Sequence, residues 1–309
     1  MAKTATRDAY GKALAQLGAE NEQVVVLDAD LSGSTKTAAF AKEFPRRFFN
    51  LGIAEADLIG TAAGLAAAGK IPFASTFAVF AAGRAYDQIR ASVAYPKLNV
   101  KIAATHAGLT VGEDGATHQM NEDIALMRAL PNMTVVVPAD GPEAGAATLA
   151  VARHQGPVYL RLGRPAVPDI HGEDYAFDLF KAPVLREGGD VAIFACGYMV
   201  HLALEAAAQL EKQGISAAVV NVHTIKPLDK ETVLRYARRC GRVIAAEEHS
   251  IIGGLGSAIA EVLGEEQPTH MVRIGVRDTF GESGKPAELL EKYGLTAEAI
   301  VQAARKLMQ

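Results

Sequence analysis

The stretch RRFFNLGIAEADLIGTAAGLAAAGKIPFASTF (residues 46–77) reads as strand, helix, strand. Its first eight residues form an aromatic-rich extended segment. Residues 55–69 then place Ala and Gly where a helix can pack closely on a neighbour. IPFASTF (71–77) is a second strand. Two strands joined by a helix of this length run parallel, because the helix carries the chain back to the starting end. Working outward, the alternation continues. Upstream lie a helix at residues 5–20, with Thr6 or Asp8 as cap and Tyr10, Leu14 and Leu17 on one face, and a strand at QVVVLDADLS (23–32). Downstream, residues 83–96 read as helix, 99–108 as strand, 133–140 as strand stopped by Pro138, 140–156 as helix and 157–165 as strand.

Residues 1–165 therefore describe an α/β domain with a mostly parallel sheet covered on both faces. Residues 166–183, AVPDIHGEDYAFDLFKAP, lack periodicity and read as a linker. The pattern resumes over 184–309, a second, smaller α/β unit, with strands at 190–197, 216–227, 242–250 and 270–276. Helices separate these strands, and one at 296–307 closes the chain. The 309 residues, half of them apolar, exceed what a single core fills, which agrees with two domains.

A net charge of −4 argues against a general nucleic-acid or anionic-membrane surface. With Cys196 and Cys240 as the two cysteines, no disulfide framework is expected. The chain has no run of about twenty apolar residues, and its start lacks a secretory signal, so a soluble, cytoplasmic protein is expected.

Ligands of open α/β sheets bind beyond the carboxyl ends of the strands. Asp28, Asp30, Glu55, His106 and the loop GLTVGEDGATHQ (108–119) fall at such ends. That loop is either a solvated surface turn or a wall that, with nearby His106, points Asp114 and His118 into a cleft. Its spacing of His and acids matches no zinc or calcium loop. Neither a Walker loop, a GxGxxG fingerprint nor a GxSxG elbow occurs. An ionised Glu55 is costly in so apolar a stretch unless it is paired. It is either an ordinary first-turn glutamate or a carboxyl that shares a proton with a ligand nitrogen. Arg161 alternates with Leu160 and Leu162 and reads as solvent-facing.

The segments ATRDAYGKAL, DADLSGST, FFNLGIAEADLIGTAAGLA, STFAVFAAGRAYDQIR, THAGLTVGEDGATHQ, RLGRP and DTFGESGKPAELLEKYGL resemble the C-terminal half of a transketolase, in the form divided between two polypeptides. The resemblance implies a thiamine-diphosphate pyrimidine-binding domain followed by a transketolase C-terminal domain. It further implies a transferase of the pentose phosphate pathway that moves a two-carbon ketol unit between ketose and aldose phosphates. In that family the glutamate matching Glu55 faces N1′ of the thiamine aminopyrimidine and shares a proton there. By the same resemblance Phe80, with Phe77 close by, stacks on that ring, and Asp30 lies near the thiazolium and the subunit boundary. Arg7, Ser34, His106 and Arg164 match positions that bind the substrate phosphate. Asp114 matches the reader of a substrate hydroxyl. His118 matches a histidine that faces the substrate C1 hydroxyl and carbonyl, where it relays a proton.

The family's GDG…N stretch, which grips a divalent ion, does not occur in this sequence. The resemblance thus places Mg2+ or Ca2+ mainly on an N-terminal partner chain and implies an α2β2 assembly that is inactive without the partner. The second unit carries none of these residues, and a structural role is expected for it. Rival readings are the β-chain of a 2-oxo-acid dehydrogenase, a 1-deoxyxylulose-5-phosphate synthase-like enzyme and a non-catalytic scaffold. THAGLTV before GEDGATHQ, together with RLGRP, favours the transketolase.

Overall fold

The computed structural model describes residues 2–172 and 174–309. A seven-stranded sheet runs in the order Thr224–Lys226, Thr134–Val136, Val158–Arg161, Lys101–Thr105, Ile71–Phe77, Val24–Asp28, Phe48–Asn50. All of its pairings are parallel except the one between Thr224–Lys226 and Thr134–Val136. The chain steps outward from Val24–Asp28 to Phe48–Asn50 and then reverses to Ile71–Phe77 on the other side. That reversal opens a crevice beyond the carboxyl ends of these strands. The helices Thr6–Glu20 and Gly141–Arg153 pack on one face around Tyr10, Leu14, Phe73 and Val151. The helix Glu55–Ala67 covers the other with Leu58, Ile59 and Ala62.

A five-stranded sheet follows, ordered His270–Val276, Arg242–Ser250, Val191–Ala195, Ala217–Asn221, Val184–Arg186, with the last strand antiparallel. The helices Met199–Glu211 and Ala297–Met308 cover one face, and Lys230–Cys240 and Leu255–Glu266 the other. Cys196 and Cys240 are free and buried. No helix among the described residues is long and apolar enough to cross a membrane.

Four sequence readings are corrected. Residues 216–227 form two strands, because the chain leaves the second sheet at Asn221 and adds Thr224–Lys226 to the edge of the first. The first helix has Ala5 at its N-cap, with no side-chain cap. Thr6 Oγ accepts instead from the Gly163 N–H at 2.8 Å, and Asp8 pairs with Lys36. The helix read at 83–96 begins earlier, at Val79, and is not a plain α-helix, since Val79–Arg84 and Ile89–Ala94 are wound with π-helical pitch around one α-turn, Tyr86–Gln88. Arg161 does not face solvent. It is 6% exposed and donates to the Asp123 carboxylate at 2.8 Å and to the carbonyls of Met120 and Glu248. All of Val158–Arg161 is buried, and a strand covered on both faces has no polar side for alternation to reveal.

Two short helices, Asp123–Ala129 and Pro286–Lys292, were not legible as periodic segments. In the stretch read as a linker, Ala166–Pro168 pairs antiparallel with Lys3–Ala5. His171 bonds to Asp140, the N-cap of the helix Gly141–Arg153.

Candidate functional site

Strand ends supply the floor of the crevice. Asp28 ends its strand fully buried and accepts from the Leu31 N–H and the hydroxyls of Thr35 and Thr37. It organises the turn that carries Asp30 and Ser34 and offers nothing to a ligand. Asp30 is exposed, and Asn50 Nδ2 donates to its carboxylate at 3.1 Å. Among the described residues no hydrogen bond ties it to the other candidates. Both Asp30 (φ 61°) and His106 (φ 56°) have left-handed backbones, a strained conformation for residues other than glycine and one that gathers at functional sites.

Phe77 ends the next strand and stacks on His106, with ring centroids 3.8 Å apart, and on Phe80 at 5.7 Å. It is therefore packed on both faces. Phe80 is partly exposed, and His118 stands edge-on to it at 5.5 Å. Glu55 is the first residue of the helix Glu55–Ala67 and is 4% exposed. Its burial is offset by Arg84, whose Nη1 donates to the carboxylate at 3.0 Å. The same guanidinium lies 4.3 Å above the Phe80 ring centroid. Sequence reasoning missed Arg84. The available signal was its i, i+4 spacing from Phe80, which brings side chains onto one helical face.

Arg7, Ser34, His106 and Arg164 converge across the crevice. Arg7 Nη1 donates to the Ser34 carbonyl at 3.0 Å and to His106 Nε2 at 3.1 Å. A ring nitrogen that accepts is unprotonated, so the proton of His106 lies on Nδ1, which donates to Thr105 Oγ at 2.9 Å. Burial, aided by the charges of Arg7 and Arg164, pushes the His106 pKa down to about 3. Burial likewise lowers the Arg7 guanidinium, and the neighbouring Arg164 charge adds to that effect. Arg7 Nε is buried without a hydrogen-bond partner among the described residues. Arg164 Nη1 donates to the Val111 carbonyl and lies 3.6 Å from the Asp114 carboxylate and 3.7 Å from that of Glu113. Two guanidiniums, one unsatisfied N–H and a neutral imidazole make an anion-binding end. Asp114 and His118 stand on the loop between this end and the Glu55–Phe80 end, with Thr117 Oγ within 3.0 Å of His118 Nδ1.

The donor set fits an aminopyrimidine. Glu55 is a lone buried acceptor and Phe80 an aromatic face beside it, and the planar, N–H-donating Arg84 already satisfies both at once. A protonated or amino-bearing heteroaromatic ring presents the same two features.

Two family models match the chain: the transketolase pyrimidine-binding domain over residues 2–169 and the transketolase C-terminal domain over residues 180–300. A putative transketolase C-terminal section of Methanocaldococcus jannaschii is 52% identical over 306 residues, covering 98% of this chain and 95% of the relative. A 6-deoxy-6-sulfo-D-fructose transketolase subunit of a Clostridium species is 48% identical, covering 98% and 94%. A solved structure described as a split-gene transketolase, inactive β4 tetramer, superposes with a TM-score of 0.93 at 60% identity, covering 98% of both chains. The chain belongs to the transketolase family.

Proposed function

We propose that this chain is the C-terminal subunit of a two-chain transketolase, transferring a two-carbon ketol unit between sugar phosphates. The observation that carries the reading is the pairing of Glu55 and Phe80 on one planar donor, facing an anion-binding end across the crevice. Thiamine diphosphate, when bound, supplies the nucleophile and electron sink for cleaving the carbon–carbon bond. Glu55 holds a proton at a pyrimidine ring nitrogen, and its burial strengthens that hydrogen bond. Phe80 orients the ring by stacking, while Phe77, fixed between His106 and Phe80, backs it.

Arg7, Arg164 and Ser34 grip the substrate's terminal anion. His106, held neutral, orients Arg7 and adds no charge of its own. Asp114 accepts from a sugar hydroxyl, and His118 relays a proton at the end where the carbonyl reacts. A relative named for a sulfonated ketose supports an anion end that takes a tetrahedral oxyanion, phosphate or sulfonate. In this reading Asp30, beside Asn50, lies toward the thiazolium and the subunit boundary. The Mg2+ or Ca2+ ion and the diphosphate belong to an N-terminal partner chain, and two copies of each chain assemble as α2β2. A relative described as a C-terminal section and a split-gene structure described as inactive support that division. The domains fall at 1–165 and 184–309, joined by 166–183, and the working location is the cytoplasm.

The test is co-purification with the candidate N-terminal chain, followed by a thiamine-diphosphate-dependent transfer assay from xylulose 5-phosphate to ribose 5-phosphate. Transfer that requires both chains is expected. Decarboxylation of 2-oxo acids without sugar transfer would replace this reading with the dehydrogenase one.

A further inference from the structure

The loop that carries Asp114 and His118 is not held by its own half of the molecule alone. Glu248, on the strand Arg242–Ser250 of the second sheet, is 4% exposed. Its Oε1 accepts the Thr110 N–H at 2.7 Å, at the entrance of the loop. Gly108 makes the approach feasible. Its φ is +80°, and a Cβ there would lie 2.3 Å from Glu248 Oε1, so the carboxyl rests flush on the loop backbone. Arg161 reinforces the tie by donating to the Glu248 carbonyl at 3.0 Å and to the Met120 carbonyl, at the loop's exit, at 3.2 Å.

The far end of the loop is tied the same way. Gln119 Nε2 donates to the Leu109 and Gly112 carbonyls within the loop and, at 2.9 Å, to the Glu282 carbonyl of the second half. Gly281 lies so close that a Cβ there would stand 1.9 Å from Gln119 Oε1. Asp114 and His118 are thus suspended between two anchors that both involve the second half.

A carboxyl buried at such a junction is costly to keep. Burial, opposed by Arg161 and the Thr110 N–H, pushes the Glu248 pKa up to about 7. An apolar side chain of similar size would fill the space without that cost, but it would leave the Thr110 N–H unpaired and the loop untied.

We propose that Glu248 is a positioning residue for the transfer reaction: its carboxyl, delivered from the second half of the chain, fixes the loop 108–119 that presents Asp114 and His118 to the substrate. The inference rests on the reading of Asp114 and His118 as substrate-contacting groups. It gives the second half of the chain a part in substrate recognition beyond support.

The test compares Glu248→Ala and Glu248→Gln in the assembled two-chain protein, with Gly281→Ala as a variant that strains the other anchor. Amide hydrogen exchange of residues 109–119, thiamine diphosphate affinity, and kcat and KM for xylulose 5-phosphate are measured on each. Losing one buried acceptor is expected to raise KM about tenfold in Glu248→Ala, with a smaller change in kcat. Faster exchange across the loop and an unchanged cofactor affinity should accompany it. Glu248→Gln keeps an oxygen for Thr110 and should remain within about threefold of wild type, since only the charge is lost. Gly281→Ala should shift exchange and KM in the same direction as Glu248→Ala, so the inference survives a failure of either variant to fold. Unchanged exchange in the loop, or parallel loss of cofactor affinity, KM and melting temperature without rescue by glutamine, overturns it. A wild-type assembly without sugar transfer would instead sink the proposed function, and the exchange data alone would then decide whether Glu248 holds the loop.

Discussion

The two walls of the crevice are built differently. The Glu55 wall comes from one short span of chain: Phe77 ends a strand, Phe80 and Arg84 follow within eight residues on the π-wound segment Val79–Arg84, and Glu55 heads the helix that precedes that strand. The Asp114 wall depends on residues far apart in sequence, with Thr110 held by Glu248 and Gln119 by the Glu282 carbonyl. A wall made from contiguous chain tolerates changes elsewhere. A wall suspended between two halves transmits a change in either half to the site. Substitutions in the first should act on chemistry and leave the fold alone, whereas substitutions around the second should mix stability with substrate affinity.

The largest effect is expected from Glu55→Ala. It should lower kcat by about 10²–10⁴-fold, the range of a positioned proton-transfer group, with little change in unfolding. Unfolding of the variant, or an undiminished rate, would erase the contrast between the walls. Next is Arg161→Ala, which leaves the fully buried Asp123 carboxylate with the Tyr159 hydroxyl as its side-chain partner among the described residues. Breaking a buried pair in this way should cost about 3–5 kcal/mol, read by urea unfolding, and should loosen the loop as well. A loss below about 1 kcal/mol would mean that the junction adds little beyond an exposed pair.

Arg164→Ala stands third. It should raise KM for phosphorylated sugars by about 10- to 100-fold while largely sparing kcat, as expected for a charged hydrogen bond made equally in ground and transition states. Equal losses with unphosphorylated hydroxypyruvate would move Arg164 away from the anion. The smallest effect concerns pH. The pKa of His106 in the folded chain, about 3, lies below its ordinary value of 6.5, so its stabilising contribution is complete above pH 6.5 and declines as pH falls toward 3. The imidazole should be neutral at pH 5 by nuclear magnetic resonance. A titration midpoint near 6.5 would show that Arg7 is not held in the arrangement described here.

Much of the first wall was legible because its signals are local. An apolar run that ends in acids places Asp28 and Asp30 at a strand end, and a carboxylate heading an Ala/Gly-rich helix stands out at Glu55. The loop 108–119 announced itself by three glycines, two acids and a histidine. The motif resemblance, and not periodicity, then joined Arg7, Ser34, His106 and Arg164, which the fold brings onto one another. Arg84 escaped notice because residue type alone does not say which way a π-wound turn directs a side chain.

The alternation of buried strands and helices fixed a parallel α/β fold from the sequence by itself, because each element's hydrophobic pattern is set within a few residues. Which carboxylate pairs with which arginine was decided only by tertiary packing. Arg161 became buried because Asp123 and two carbonyls received it. Thr224–Lys226 joined the first sheet because the edge strand Thr134–Val136 offered unpaired backbone groups. Glu248 reached Thr110 across 138 positions of sequence. Contacts of that range leave no period in the chain, since their free energy exists only once both surfaces are in place.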